Sequence, residues 1–137
     1  MSNWSRAKVT FKNMNTKLLT EALKAMGYVP NFEDKKVKGS YSIDGSRDCD
    51  CVLYDINSNT SSNIGMKFTR DESGEISIDI VGDWYNKVYN DKTFTQALTL
   101  EYTTANMIHQ ASLNGYSVAE TEMVEQYKRR MVFVKAA

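Results

Sequence analysis

The stretch from Ile64 to Ile80 admits few folds. Ile64, Met66 and Phe68 alternate with Gly65, Lys67 and Thr69, and Ile76, Ile78 and Ile80 then alternate with Ser77 and Asp79. Successive side chains of a strand point to opposite faces, so each segment predicts a strand with one apolar and one polar side. Between them Asp71-Glu72-Ser73-Gly74 predicts a tight turn, with glycine where a positive φ is easiest. A slip of one residue would turn every apolar side chain to water, so the hairpin specifies its own register. Its apolar face must then be covered by other parts of the chain.

Two segments have the period to do so. In NTKLLTEALKAMGY, Leu18, Leu19, Ala22, Leu23 and Met26 form a helical stripe, with Asn15 or Thr16 as N-cap and Gly27 as the residue just past the helix. From Thr93 to Asn114, Phe94, Leu98, Tyr102, Ala105, Ile108 and Ser112 share a face, and Gly115 stops the helix. Further strands are predicted over 6–12, where Ala7, Val9 and Phe11 alternate with Arg6, Lys8 and Thr10, and around Val37, Gly39, Tyr41 and Ile43. IDGSRD is expected to turn into a strand CDCVLYDI, and YSVAETEMV (116–124) and RRMVFVK (129–135) to close the chain. The resulting order, β-α-β-β-β-β-α-β-β, predicts an α+β fold: a mostly antiparallel sheet of about six strands with two helices on one face. No repeat or linker divides the 137 residues, so 1–137 is expected to be a single domain.

Charge narrows the function classes. Seventeen basic residues balance seventeen acidic ones, leaving no global field toward nucleic acid or an anionic membrane. The apolar runs are far shorter than the roughly 20 residues of a membrane span, and MSNWSRAKV lacks the apolar core of a secretory signal. A cytoplasmic, reducing compartment is the expectation for the two cysteines. No G-x-S-x-G, H-E-x-x-H or P-loop pattern occurs, which points away from an enzyme, and no cofactor is expected.

The stretches LTEALKAMGY, VKGSY, IGMKF, EISIDIVGDWYN and EYTTANMIHQASLNGYSVAETE, in that order, resemble the family known as hypothetical chloroplast reading frame thirty-five. That family is a domain of unknown function from cyanobacteria, algal plastids and cyanobacterial viruses. The resemblance implies a small soluble protein of a photosynthetic cell, its plastid stroma or its virus, and it supplies no catalytic residues. Family members tend to carry a histidine where this chain has Ala105, with its own His109 about one turn later, and apolar side chains at Cys49 and Cys51.

The candidate sites are few. The loop Gly82-Asp83-Trp84-Tyr85-Asn86-Lys87-Val88-Tyr89-Asn90 packs three aromatics into six residues, and such anchors bury much area at little rotamer entropy. Asp83, Trp84, Tyr85, Asn86 and Tyr89 are therefore the expected partner-binding residues, alongside the sheet edge, with a protein partner or a second copy as ligand. The competing reading folds Trp84 back to plug the core. A single-stranded nucleic acid is the alternative ligand, held by Lys35, Lys36, Lys38, Lys128, Arg129 and Arg130 with nearby tyrosines. His109, on the core-facing stripe, is read as structural, and the pairs Asp48/Asp50, Asp71/Glu72 and Glu120/Glu122 as solvated faces or turns. No metal site is expected; Cys49 and Cys51 are the weak candidates for a soft ion. In one continuous strand they share a face with Leu53, where they act as small apolar side chains.

Overall fold

The computed structural model describes residues 3–40 and 45–136. Within them the chain runs β1 (Trp4–Phe11), α1 (Thr16–Ala25), β2 (Tyr28–Asn31), β3 (Lys36–Lys38), β4 (Ser46–Asp48) and β5 (Cys51–Asp55). It continues through β6 (Ser61–Arg70), β7 (Ile76–Asp83), α2 (Asp91–Leu113), β8 (Tyr116–Glu125) and β9 (Lys128–Lys135).

The alternating hairpin forms as its pattern dictates. Met66 lies opposite Ile80 and Phe68 opposite Ile78, and Gly74 takes φ +88° in the turn. This pair, β6 and β7, is the centre of a five-stranded antiparallel sheet of order β1-β7-β6-β5-β2. Both helices begin with a side-chain cap. Asn15 Oδ1 accepts from the Lys17 and Leu18 N–H groups at 2.9 and 3.2 Å, and Asn90 and Thr93 satisfy each other's backbone at the start of α2. Gly27 and Gly115, at φ +98° and +83°, turn the chain out of the two helices.

Leu19 and Leu23 of α1 and Phe94 and Leu98 of α2 join Leu53, Ile64, Met66, Ile78 and Ile80 in one core. Both helices therefore cover the same face of an antiparallel sheet, the α+β arrangement the sequence predicts. A smaller cluster occupies the other face, where Val37 and Cys49 pack on Val52 and Val81.

Three features differ from expectation. Strand β2 was not legible: it has four residues, one of them Pro30, which an edge strand tolerates because its outer side needs no donor. Ser46–Asp48, expected as part of a turn, is strand β4, paired with the short β3 in a two-stranded sheet. The strand predicted around Val37 is thus only Lys36–Lys38, and Tyr41 and Ile43 lie outside the described residues. The two closing strands form, but as a separate β8–β9 ribbon whose principal neighbour is α2, so the main sheet has five strands.

Candidate interaction surface

The GDWYN loop folds inward. Trp84 is 4% exposed, its indole N–H donates to Ser5 C=O at 3.3 Å, and its ring centroid stands 5.6 Å from that of Phe94. Gly82 makes room for it: a Cβ there would lie 3.1 Å from the indole ring. Asp83 is fully buried, and its carboxylate accepts the N–H of Asn3 at 2.7 Å, Ser40 at 2.8 Å and Tyr85 at 3.2 Å. Burial alone would raise the Asp83 pKa, but these backbone donors outweigh it and hold the carboxyl below its ordinary value. Tyr89 is half-buried with its ring edge-on to Phe94. Of the five expected partner-binding residues, only Tyr85 and Asn86 are exposed. Asp83 and Trp84 hold the loop in the protein and offer no surface to a partner. Three aromatics close together carry no signal for which of them faces water; the small Gly82 two residues before Trp84 was the available hint.

The cysteines do not share a face. The chain breaks from strand geometry between β4 and β5, where Asp50 N–H donates to Met66 C=O and Asp50 Oδ2 accepts from Phe68 N–H at 2.7 Å. Cys51 then points into the core beneath the helices, and Cys49 into the cluster on the opposite face. Both thiols are free and buried. Burial first, then the neighbouring Cys49 and Asp50, pushes the Cys51 pKa up to about 12, and burial likewise raises that of Cys49. The sheet lies between the two sulfurs, so a shared ion is excluded by geometry. Among the described residues no group of three or more His, Cys, Asp or Glu side chains is placed to hold a metal.

The basic residues also fall on two sides. Lys35, Lys36 and Lys38 sit on and beside β3, over the outer face, whereas Lys128, Arg129 and Arg130 sit on β9 against α2. Lys36 pairs with Asp48 at 3.0 Å, Arg129 with Glu101 at 2.8 Å, and Arg130 with Glu122 at 2.6 Å and Glu120 at 3.7 Å. The carboxylate pairs are accounted for in the same way, with Asp71 closing its turn by accepting from Ser73 and Glu75 N–H.

The unusual surface lies further along. Helix α2 has 23 residues, about 34 Å at 1.5 Å per residue, and its buried side chains end at Tyr102. Beyond Tyr102 no described residue is buried. The second half of α2 and most of the β8–β9 ribbon form an arm outside the core, while the ribbon's turn at Gln126 and Tyr127 reaches back beside Lys8 and Val9 of β1 and Ala25 and Met26 of α1. Seven of the eleven large apolar side chains exposed in the described residues belong to it: Met107, Ile108, Leu113, Tyr116, Met123, Val124 and Val134. His109 lies here too, half-buried, rather than in the core. Between helix and ribbon runs an open groove of about 420 Å³ lined by Ile108, Val118, Met123 and Met131, with Arg129 and Glu122 among its polar walls. The helical stripe of α2 and the two strands were readable in the sequence. That they pack chiefly on each other, and do not join the five-stranded sheet, was not.

Among the described residues no helix is long and apolar enough to cross a membrane. Comparison with known proteins finds no matching family model, no matching curated protein and no matching solved structure.

Proposed function

We propose that this chain is an accessory protein that works by binding another protein, and that the arm is its binding surface. The observation that carries the reading is the arm's composition: no described residue past Tyr102 is buried, yet most of the exposed large apolar side chains are there. Exposed apolar area gathered in one place marks interaction sites in folded proteins, whereas scattered residues do not. A two-stranded ribbon is marginal in water without something to pack on, and here its principal neighbour is the single helix α2. Tyr85 and Asn86 remain as a secondary contact. The resemblance to the chloroplast reading frame thirty-five family would imply a protein of the cytoplasm of a cyanobacterial or virus-infected cell, or of the plastid stroma. Single-stranded nucleic acid is the weaker reading, because the two basic clusters are on opposite sides of the sheet and Lys36, Arg129 and Arg130, three of their six charges, already have carboxylate partners.

The test is comparative capture from a cyanobacterial cell. Tagged wild-type chain, an Ile108→Asp/Met123→Asp variant and a Tyr85→Ala variant are expressed and recovered with whatever they hold. The arm variant is expected to lose partners that the Tyr85→Ala variant retains. A folded arm variant that keeps every partner overturns the reading.

A further inference from the structure

We propose that the free edge of β1, with the groove between it and α2, is a site for an extended polypeptide segment of alternating acidic and apolar residues, which joins the five-stranded sheet as a further strand. The site is separate from the arm groove, and either can stand without the other.

Strand β1 bonds to β7 on one side, and among the described residues no strand occupies the other. The phase of the ladder follows from the Trp84 N–H, which donates to Asn3 C=O at 2.9 Å in continuation of the β1–β7 register. Hydrogen-bonded positions alternate along an antiparallel strand. Ser5, Ala7, Val9 and Phe11 therefore turn their N–H and C=O groups toward β7, and Trp4, Arg6, Lys8 and Thr10 turn theirs to the open edge. The eight residues of β1 pair without a bulge or a proline, over about 27 Å at 3.4 Å per residue. The other edge of the sheet, β2, has four residues and contains Pro30, two features that blunt an edge. Strand β1 has neither, and a long unblunted edge is the surface to which peptides add as strands.

A groove of about 410 Å³ adjoins this edge, lined by Val9, Thr95, Thr99, Leu100, Thr103 and Tyr127, and by Lys8. Val9 packs on the core while Lys8 is exposed on the opposite face, so a groove touched by both lies at the edge itself. The Thr95 and Thr103 hydroxyls donate to the Lys92 and Thr99 carbonyls of α2, each at 2.8 Å, so neither is left seeking a partner in the groove. From Thr95 to Thr103 the helix rises about 12 Å. Side chains on one face of a strand are about 7 Å apart, so the groove takes two apolar side chains, two residues apart.

The other face of an added strand meets charge. Arg6 and Lys8 are exposed there, and among the described residues neither forms an ion pair. Asp79, the carboxylate opposite Lys8, also stands opposite Lys67 on its other side. This corner of the sheet is net positive, with Arg6, Lys8 and Lys67 against Asp79. Opposite charges on paired strands attract and like charges repel. Acidic side chains are therefore favoured at the outward positions of the incoming segment. A second copy of β1 is disfavoured, because antiparallel edge pairing would set Arg6 and Lys8 of each copy near those of the other. Nucleic acid matches the charge but has no strand of N–H and C=O groups to offer the edge.

The experiment titrates the purified full chain into fluorescein-labelled peptides of about eight residues, one alternating valine with glutamate and one alternating valine with lysine, and reads anisotropy. The glutamate peptide is expected to bind about 10-fold more tightly than the lysine peptide, and Arg6→Gln/Lys8→Gln to weaken it about 5-fold or more. Amide exchange reports the strand itself: with the glutamate peptide bound, the Arg6 and Lys8 amides should gain about 10-fold protection while those of Ala7 and Val9, already bonded to β7, change little. The Ile108→Asp/Met123→Asp arm variant should bind the peptide as wild type does. A glutamate peptide that fails to bind at millimolar concentration, or binds no better than the lysine peptide, overturns the proposal. So does binding without the alternating protection in β1, or binding that a folded arm variant has lost. Protection of Arg6 and Lys8 that rises with protein concentration alone would make the occupant a second copy and overturn it too. None of these results touches the reading of the arm, which the capture experiment judges.

Discussion

The guanidinium of Arg129 donates to Glu101 Oε1 at 2.8 Å and to Thr104 Oγ1 at 2.9 Å, joining the start of β9 to the middle of α2. Each charged side chain is only 20% exposed, so the pair is better shielded than Arg130 with Glu122, where both are more than half exposed. A shielded, charge-assisted pair is worth more than a solvated one, and removing one partner strands the other. Arg129→Ala is expected to cost about 1.5–3 kcal/mol, concentrated in the arm. Amide exchange should show faster opening of 116–135 with the β6–β7 pair unchanged. An equal loss of protection throughout would mean that the latch does not act locally.

Asp83 ties three segments together by accepting from the N–H groups of Asn3, Ser40 and Tyr85. Its pKa is lowered in the folded protein, where the backbone donors prevail over burial. A depressed carboxylate contributes stability that is present above its unfolded pKa, about 3.9, and lost as pH falls through the folded value. Asp83→Asn should therefore destabilise by about 1.5–3 kcal/mol at pH 7. The difference from wild type should shrink below about pH 4. Denaturant midpoints of the two proteins measured across pH check this; a gap that does not change with pH would remove the charge from the account.

Cys49 and Cys51 make opposite contributions to the two faces of the sheet. A Cβ on Gly65 would lie 3.1 Å from the Cys49 sulfur and 3.0 Å from Val37 Cβ, which shows how closely the β3–β4 layer sits there. Both thiols are held in the unreactive protonated form by burial. At pH 8 a thiol-specific reagent should leave the native protein almost unmodified and titrate both residues in denaturant. Added zinc should not move the melting temperature. Fast modification of Cys49 in protein that stays folded would contradict the packing.

What could be read from the sequence follows the range of each signal. The β6–β7 hairpin and the helix ends at Asn15, Gly27 and Gly115 are decided by neighbours a few residues away, and they form as their spacing requires. The Asn90 cap of α2 was not read from the sequence. Strand β4 has three exposed polar residues and no period to detect. The separation of Cys49 from Cys51 depends on Asp50 bonding to Met66 and Phe68, sixteen and eighteen residues away, which alternation does not encode. The arm is the same problem at larger scale. A periodic pattern names the face that seeks cover but not the element that supplies it, so β8 and β9 were foreseen and their distance from the sheet was not.

Trp84 and Tyr85 are adjacent in sequence and opposite in role, which makes them a matched pair for mutation. The Trp84 ring lies against Gly82 and Phe94 in the core, whereas Tyr85 is 40% exposed. Truncating a buried tryptophan removes its transfer free energy and leaves a cavity, about 3–5 kcal/mol together. It would also free the Ser5 carbonyl that the indole N–H now satisfies. Trp84→Ala is therefore expected to lower the denaturant midpoint sharply. Trp84→Phe keeps part of the ring and should cost less. Tyr85→Ala should cost about 1 kcal/mol or less, within the range of surface changes. Equal losses for Trp84→Ala and Tyr85→Ala would mean that the indole does not hold the loop, and the GDWYN segment would again be open to a partner.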